Sequence, residues 1–483
     1  MRLFFMEWGA DHKELVDLVE DLKNQGHEIV YWARSNCTFE IDQSRFPGTI
    51  FHDYFDSTAG KPAPGVDDSQ FLPLGEDFIK KFLGYESELI TMMNKKYEWM
   101  SVSQRKHLYY HFLWYWKGVI EKYKPELIIF PMATHTLYDF VLYGLAEYYQ
   151  IPTLMFDIST IIPNMLLVNS FESGCPALVE EMKRIECQEI FLSDLSPDLQ
   201  KYFLKHTSDK ADDPPDYLKK NINEYSSFKN WFRIKSNMIW VAIKDLSIFK
   251  KTVNYIYKKL SPDLRDEYLR VQIEPDFDKK FIFVALHYQP ECATSPLGGV
   301  FVDQILMIEI LSAALSNDWV IYVKEHPLQW HPRGKNFTSY RYKGYYEHVA
   351  KIKNVFIVPA EINGYTMINK CQAVATVTGS SGWEGALRLK PALVFGYAWY
   401  RECPGIFRVK NVDSCKEALR HIVQGNIIKH EDVIKYLYAF DQVSIKGYLS
   451  NYCQQVSGLS PKENKENILN AFLVEIKKIE NSK

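Results

Sequence analysis

The sequence changes from a short apolar run to a polar loop at two places: Trp319 to Val323 is followed by Lys324-Glu325-His326-Pro327, and Ala373 to Val377 is followed by Thr378-Gly379-Ser380-Ser381-Gly382-Trp383-Glu384. Short apolar runs bounded by turn residues are typical of buried strands. Ligands of parallel sheets bind at the loops that follow the carboxyl ends of the strands. The two stretches therefore predict an α/β fold whose ligand crevice is bounded by both loops.

Strands and helices alternate elsewhere in the chain as well. Leu3 to Met6 predicts a strand, the stripe Leu15, Leu18, Val19 and Leu22 predicts an amphipathic helix, and Glu28 to Trp32 predicts the next strand. The alternation returns near residues 126–156 and again from Phe281 to Phe395. We therefore expect two Rossmann-like domains facing a cleft, at residues 1–195 and 279–425, with a helical linker at 196–278 and C-terminal helices at 426–483.

Length and composition leave several classes open and argue against others. A chain of 483 residues exceeds the roughly 250 to 300 residues of one core, which favours two domains. The net charge of −3 argues against a nucleic-acid-binding protein. Eight scattered cysteines without a C-x-x-C pair argue against a zinc site, and no apolar run is long enough to span a membrane. We therefore expect a cytoplasmic protein.

A basic segment lies inside the predicted linker. Eight Lys and Arg residues between Lys229 and Lys259 stand against one acid, Asp245, and alternate with large apolar residues. Such a segment can lie on an anionic membrane at the inner face of the bilayer. Its structural alternative is a solvated helical face that bridges the two domains.

The loops offer groups suited to a nucleotide. The nucleotide-binding candidates are His287 and Gln289 after the strand 281–286, Lys324, His326 and Pro327 after the next strand, and Ser380, Ser381 and Glu384 at the start of a helix. A lysine neutralises phosphate, and a helix amino end presents free N–H groups to an anion. Each group also has a structural alternative: packing for the histidines, and helix capping for Ser380 and Glu384.

These residues carry a resemblance. Gly26-His27-Glu28-Ile29, the His-Pro and Ser-Ser pairs, Lys390-Pro391 and Phe395-Gly396 are similar to those of GT-B glycosyltransferases. The stretch from Phe281 to Phe407, with His287 to Glu291, Gly298-Gly299 and Asp303-Gln304, more narrowly resembles bacterial capsule polysaccharide biosynthesis proteins, a group that includes Kdo transferases using CMP-Kdo. Similar pairs occur in bacterial sialyltransferases and in CDP-glycerol glycerophosphotransferases.

The resemblance implies that His326 and Pro327 hold a cytidine nucleotide and that Ser380 and Ser381 bind its phosphate. The catalytic group of GT-B enzymes usually comes from the first domain, which nominates Glu7, Asp11, His12, His135 and Asp157 at predicted strand ends. Asp11 has the alternative of capping the first helix, and Asp157 that of accepting loop amides. Without a convincing D-x-D motif, neither a metal nor a cofactor is expected.

The leading hypothesis is a glycosyltransferase of capsular or lipopolysaccharide biosynthesis. It would transfer a sugar such as Kdo from a CMP- or other nucleotide-activated donor to a glycan or glycolipid acceptor. One alternative is a CDP-glycerol-type polyol-phosphate transferase, and another is a non-catalytic glycan-binding assembly protein. The donor sugar, the linkage and the stereochemistry cannot be read from the sequence.

Overall fold

The computed structural model describes residues 1–9, 11–36, 39–207, 264–289, 291–330, 340–425 and 428–482. Strands in these residues form two separate sheets. The first sheet contains β1 (Arg2–Trp8), β2 (Glu28–Arg34), β3 (Ile50–His52), β4 (Leu127–Ile129), β5 (Thr153–Ile158), β6 (Asn164–Val168) and β13 (Ile445–Lys446). The second contains β7 (Lys280–Ala285), β8 (Trp319–Lys324), β9 (Val355–Ile357), β10 (Ala373–Thr376), β11 (Ala392–Val394) and β12 (Ile406–Arg408).

The helices of the described residues cover both sheets. Up to residue 207 they are α1 (Lys13–Asn24), α2 (Tyr54–Ala59), α3 (Glu76–Lys81), α4 (Leu83–Met92), α5 (Asn94–Tyr97), α6 (Val102–Tyr123), α7 (Tyr138–Tyr149), α8 (Pro176–Arg184) and α9 (Pro197–Thr207). After residue 263 they are α10 (Leu264–Val271), α11 (Gln304–Ala314), α12 (Tyr345–Lys351), α13 (Gly364–Lys370), α14 (Ser380–Leu387), α15 (Val412–Val423), α16 (His430–Val443), α17 (Asn451–Ser457) and α18 (Pro461–Asn481).

Both sheets have the strand order of a Rossmann fold. The first runs β13-β6-β5-β4-β1-β2-β3, and the second runs β12-β11-β10-β7-β8-β9. The chain thus starts in the middle of each sheet, moves outward on one side and then returns to build the other side. The order reverses between β1 and β4 in the first sheet and between β7 and β10 in the second. Ligands of open α/β sheets bind at such switch points, outside the carboxyl ends of the strands.

Successive side chains of the central strands pack alternately into two hydrophobic cores, one on each face of each sheet. Leu3 and Phe5 of β1 pack with α1 and α18 on one face, whereas Phe4 and Met6 pack with α6 and α7 on the other. In the second sheet, Ile282 of β7 belongs to one core and Phe283 to the opposite one. Burial on both faces explains why these strands are nearly continuous apolar runs in the sequence.

The predicted GT-B-like architecture is confirmed. Two Rossmann-like sheets are present, and residues 428–482 are mostly helical. Among these C-terminal helices, α18 begins with a capping box formed by Ser460 and Glu463, and it packs back on the first domain through Ile468 and Phe472. No helix in the described part of the chain combines the length and apolar character needed to cross a bilayer.

Some local predictions need correction. The first sheet is not wholly parallel, because β6 and β13 pair antiparallel at one edge. The helix that carries Ser380, Ser381 and Glu384 begins at Ser380 and has Gly379 as its N-cap residue, so the alternative that Ser380 caps this helix is wrong. The predicted linker 196–278 is described only at its two ends, by α9 and α10, and the basic segment from Lys229 to Lys259 lies outside the described residues. The domain boundaries and the membrane contact stay predictions.

Candidate functional site

The switch point of the second sheet contains His287, which joins the loops after β7 and β10. Its Nε2 accepts a hydrogen bond from Thr378 N at 3.1 Å and lies 3.0 Å from the hydroxyl oxygen of Thr376. Because Nε2 accepts from a backbone N–H, the ring proton is on Nδ1. Burial, with a contribution from His326, lowers the pKa of His287 to about 3. His287 is therefore neutral and holds the Thr376–Gly379 turn in place.

The loop around His287 also contains Gln289, which is fully buried. Its backbone N–H donates to Gln329 Oε1 at 2.9 Å, and its Nε2 donates to Thr294 Oγ1 at 2.7 Å. Its Oε1 is buried and has no hydrogen-bond partner among the described residues. His287 and Gln289 are therefore buried within the loops at the carboxyl edge of the second sheet, and their hydrogen bonds hold these loops together.

The loop after β8 is anchored by Glu325. The side chains of Glu325 and Arg341 are 0% and 4% exposed, and Arg341 Nε lies 2.7 Å from Glu325 Oε2. The same carboxylate accepts bonds from Tyr346 Oη at 2.6 Å and from His326 N at 2.8 Å. A buried ion pair with additional hydrogen bonds holds a loop in one conformation, since the loss of one partner would leave an uncompensated charge.

Lys324 and His326 lie on either side of that anchor. Lys324 ends β8 and is 7% exposed, and burial lowers the pKa of its ammonium group. The ring of His326 lies 5.7 Å from that of Tyr288, and its Nδ1 accepts from Leu328 N at 3.2 Å. Pro327 starts the short 3₁₀ turn Pro327–Trp330. The loop thus brings a cation and an imidazole to the carboxyl edge of the second sheet.

The first turn of α14 presents Ser380 and Ser381 at the same edge. Ser380 Oγ donates to Glu384 Oε1 at 3.0 Å, so it does not cap the helix. The hydroxyl of Ser381 is buried and lacks a hydrogen-bond partner within the described ranges. Burial raises the pKa of Glu384. A hydroxyl in the first turn, beside N–H groups without intrahelical partners, can donate to a bound anion.

A β-carbon at Gly379 would crowd the turn before α14. It would lie 2.7 Å from Thr376 Oγ1 and 3.2 Å from a ring carbon of His287. Only glycine therefore allows the backbone to approach the two side chains this closely. Three loops, after β7, β8 and β10, thus form one edge whose shape is fixed by His287, Glu325 and Gly379.

The first-domain candidates separate into three groups. Glu7 at the end of β1 and His135 after β4 lie together at the switch point of the first sheet, and Asp139 joins them: ligand-type atoms of all three lie within 4.8 Å of one another. His135 also lies near the second domain, because Cys292 Sγ is 3.8 Å from Ala133 O. The carboxyl edges of the two sheets therefore meet across the domain interface.

His12 and Asp11 follow β1 and contact residues near the start of α17. The ring of His12 is 2% exposed, packs 5.1 Å from the ring of Tyr448, and has its pKa lowered by burial. Asp11 accepts a bond from Asn451 Nδ2 at 3.3 Å and does not cap α1, since its N-cap residue is His12. His12 therefore contacts the segment between β13 and α17, and Asp11 contacts the first residue of α17.

Asp157 lies on β5, near Arg401 of the second domain. Burial raises the pKa of its carboxyl to about 7, and the guanidinium of Arg401 lowers it. Arg401 Nη1 donates to Phe171 O at 2.8 Å, so this arginine fastens the two domains together. The surroundings of Asp157 indicate a role at the interface between the domains.

The raised pKa of Asp157 predicts a pH-dependent stability. Its folded pKa of about 7 exceeds the ordinary value near 3.9, so the folded protein holds the proton more tightly. The stabilisation is complete below about pH 4 and is lost as the pH rises through 7. At pH 8, Asp157→Asn should therefore raise the free energy of unfolding by about 1.4 kcal/mol per unit of pKa difference, and the melting temperature with it. At pH 4 it should change both little. Asp278→Asn, an exposed control, should change neither; equal behaviour of the two would contradict the prediction.

Sequence patterns missed several residues of the site. Asp139 and Arg341 are isolated charged residues in the sequence, and neither belongs to a motif. Asp139 had one available signal, because an acidic residue in the first turn of a helix commonly accepts backbone N–H bonds. The sequence around Arg341 contains no such signal, because its partner Glu325 lies sixteen positions earlier in the chain.

One protein family matches the part of the chain that contains the second sheet and its loops. Residues 255–440, less than half of the chain, match the family of capsule polysaccharide biosynthesis proteins. A comparison with curated proteins finds no match. The chain is similar to the UDP-GlcNAc 2-epimerase from Methanocaldococcus jannaschii, with 12% identity, coverage of 92% of this chain and 99% of that one, and a TM-score of 0.25.

Two further solved structures are similar to the chain. KpsC of Thermosulfurimonas dismutans, a beta Kdo 2,7 transferase, has 11% identity, covers 79% of this chain and 95% of its own, and gives a TM-score of 0.28. The UDP-GlcNAc 2-epimerase from Neisseria meningitidis bound to UDP-GlcNAc has 11% identity, coverage of 98% and 100%, and a TM-score of 0.24. The family match confirms, over residues 255–440, that the chain resembles capsule polysaccharide biosynthesis proteins.

Proposed function

We propose that this protein is a glycosyltransferase of capsular or lipopolysaccharide biosynthesis. It takes a sugar such as Kdo from a CMP- or other nucleotide-activated donor and transfers it to a glycan or glycolipid acceptor. The observation that carries the proposal is the buried hydroxyl of Ser381 in the first turn of α14, which has no hydrogen-bond partner among the described residues and lies on the edge that also carries Lys324 and His326. The match of residues 255–440 to capsule polysaccharide biosynthesis proteins supports the same function.

The proposed donor site stabilises the leaving nucleotide without a metal. The ammonium of Lys324 and the N–H groups at the start of α14 balance the charge that develops on the phosphate as the glycosidic bond breaks. His326 and Pro327 hold the base and ribose in this proposal, and Glu384 accepts a ribose hydroxyl. The acceptor approaches from the first domain, whose carboxyl edge meets that of the second domain near Cys292.

A thermal-shift panel with CMP, CDP, UDP and GDP tests the donor site. Ligand at 100 times its dissociation constant stabilises a protein by about 2.7 kcal/mol, so a cytidine nucleotide should raise the melting temperature measurably. CMP should give the largest shift if the donor is a CMP-sugar. A larger shift with CDP would favour a polyol-phosphate transferase, and no shift with any nucleotide would contradict a nucleotide site.

We also propose that the protein works at the inner face of the membrane. The proposal rests on the eight basic residues between Lys229 and Lys259 and on the chemistry of glycolipid acceptors. Each engaged cation contributes roughly 1 kcal/mol of attraction to anionic lipid. Anionic vesicles at low salt should therefore sediment the protein, and changing Lys250, Lys251, Lys258 and Lys259 to Gln should reduce the bound fraction. Equal binding of the two proteins would contradict this.

A further inference from the structure

Three side chains form a polar cluster at the switch point of the first sheet, which we call the Glu7 cluster: Glu7, His135 and Asp139. Glu7 comes from the end of β1, and the other two come from the loop and helix that follow β4. The strands β1 and β4 pair directly, so the cluster lies at the position where α/β sheets bind ligands.

Asp139 uses its oxygens to fix the loop that carries His135. Its Oδ2 accepts from His135 N at 3.0 Å, and its Oδ1 accepts from Thr136 N and from Phe140 N, both at 2.7 Å. A carboxylate that accepts three backbone N–H bonds has little capacity left for a substrate. Asp139 therefore determines where His135 lies, and its negative charge stays close to the imidazole.

The hydrogen bonds of His135 identify its basic atom. Its Nδ1 lies 3.1 Å from the carbonyl oxygen of Ala133, which can only accept, so Nδ1 carries the proton. The acceptor atom of the neutral ring is then Nε2. Burial lowers the pKa of His135, with Asp139 raising it and Lys95 lowering it, so the ring is neutral near pH 7.

Glu7 differs from His135 in its protonation. Burial raises the pKa of Glu7 well above its usual range, and Asp139 raises it further, while Thr136 and Lys95 lower it. Tyr54 and Tyr138 of the first domain and Cys292 of the second also face Glu7; burial raises the pKa of each of these groups, and nearby acidic groups raise it further. A raised pKa favours the protonated carboxyl, which is a hydrogen-bond donor and a poor base.

The backbone at Glu7 is strained as well. Its φ is 51°, in the left-handed region that residues other than glycine rarely adopt, and the register between β1 and β2 shifts between Phe5 and Trp8. Such strain costs about 1 to 3 kcal/mol and persists where the surrounding structure enforces it, often at functional sites. With this backbone conformation, the carboxyl group of Glu7 lies close to the side chains of His135 and Asp139.

We propose that His135 Nε2 is the base that takes the proton of the acceptor hydroxyl, with Asp139 as the residue that positions it and Glu7 as a neutral hydrogen-bond donor beside it. This inference rests on the proposed glycosyltransferase function and assigns the proton transfer to one of the five candidates that the sequence nominated. The other three candidates have different neighbours: Asp11 contacts Asn451, His12 packs on Tyr448, and Asp157 lies near Arg401.

With His135 as the base, each bond that forms in the transfer is matched by a bond that breaks. The acceptor O–H bond breaks and its proton moves to His135 Nε2, while the acceptor oxygen forms a bond to the anomeric carbon of the donor sugar. The bond between that carbon and the phosphate oxygen breaks, and its electron pair leaves with the nucleotide phosphate at the loops after β8 and β10. The imidazolium then returns its proton to water.

The same three side chains could also be considered as a cation site, since their ligand-type atoms lie within 4.8 Å. Two observations favour the proton-transfer assignment. The oxygens of Asp139 are occupied by three backbone N–H groups, and Lys95 is close enough to lower the pKa of both Glu7 and His135. An ammonium group at the cluster repels a divalent cation.

Release of CMP from CMP-Kdo in the presence of a glycan acceptor measures the effect of variants in the full chain. We expect His135→Gln to reduce turnover by about 10²- to 10⁴-fold, the usual contribution of a general base, while CMP still raises the melting temperature. Glu7→Gln, which keeps a neutral donor, should reduce turnover less than tenfold. His348→Gln, at an exposed histidine of α12, is the matched control and should leave the rate unchanged.

Asp139→Asn separates positioning from a purely structural role. Removing the charge of Asp139 should lower the pKa of His135, so the acid limb of the rate profile should move to lower pH. A structural role would lower the rate without moving that limb. NMR of labelled protein can follow the ring carbon signals of His135 as a function of pH without any substrate. Their titration midpoint should also be lower in Asp139→Asn.

Failure of this inference differs from failure of the proposed function. If no nucleotide binds and no nucleotide sugar is turned over, the proposed function fails, and the NMR titration still tests the protonation of His135. If CMP-Kdo is turned over and His135→Gln keeps the rate, or Glu7→Gln abolishes it, His135 is not the base. Loss of activity with EDTA that Mg²⁺ or Zn²⁺ restores would make the Glu7 cluster a metal site and overturn the inference.

Discussion

Replacing Arg341 with methionine is expected to lower the free energy of unfolding by about 3 to 5 kcal/mol. Arg341 donates to both oxygens of Glu325, at 2.7 Å and 3.2 Å, and both side chains are almost wholly buried. Without the guanidinium, the carboxylate would remain in the interior, and its donors among the described residues would be the Tyr346 hydroxyl and the His326 N–H. Urea denaturation of the two proteins measures the difference.

Two controls distinguish the effect of breaking a buried ion pair from the effect of losing any arginine side chain. Arg265 pairs with Glu361 at 3.5 Å on the surface, and Arg265→Met should cost less than about 1 kcal/mol. Adding Glu325→Gln to Arg341→Met should recover part of the loss, because the amide still accepts from Tyr346 and carries no charge. A loss at Arg265 as large as that at Arg341, or no recovery in the double variant, would refute the explanation.

The Arg341 substitution should also affect the nucleotide edge. Arg341 Nη2 donates to the carbonyl oxygen of His287 at 3.1 Å, so one guanidinium holds both the loop after β7 and the loop after β8. Small movements of these loops change the distance between His326 and the start of α14. Stability and nucleotide affinity are therefore coupled at this residue, and stability must be measured before a binding defect is interpreted.

The sequence predicted much of the fold and part of the site, for identifiable physical reasons. Apolar runs and glycine-containing loops are local signals, so β7, β8 and β10 and the loops after them were predicted close to their observed positions. The short edge strand β13 was missed because its pairing depends on Asn164 and Met165, far away in the sequence. Local signals cannot reveal partners that folding brings together over such distances.

The same distinction applies to the candidate catalytic residues. All five follow or end a predicted strand, and the sequence alone gave no reason to prefer one of them. The structure separates them by their neighbours: His12 packs on Tyr448, Asp157 lies near Arg401, and Glu7 and His135 meet at Asp139. Asp139 was not nominated, since its role depends on backbone N–H groups whose positions only the folded loop defines.

The hydroxyl of Ser381 is expected to contribute to nucleotide binding and little to folding. It is buried and makes no hydrogen bond to the described residues, so Ser381→Ala removes no hydrogen bond from the described part of the protein. A hydrogen bond to a charged group is worth about 1.5 to 3 kcal/mol, so the variant should bind CMP about 10- to 150-fold more weakly. Its melting temperature without ligand should stay that of the parent protein.

Ser380→Ala and His326→Ala provide the contrast, because both side chains already make bonds within the protein. Ser380 donates to Glu384, and His326 accepts from Leu328 N, so each of these variants should lose some stability as well as affinity. Ser312→Ala on α11, which removes a bond to the Lys353 carbonyl far from the crevice, should leave CMP binding unchanged. Calorimetric titration with CMP and CDP measures all four variants. Unchanged titration curves for Ser381→Ala would show that α14 does not hold the phosphate, since the hydroxyl at its first turn has no competing partner among the described residues to explain the result.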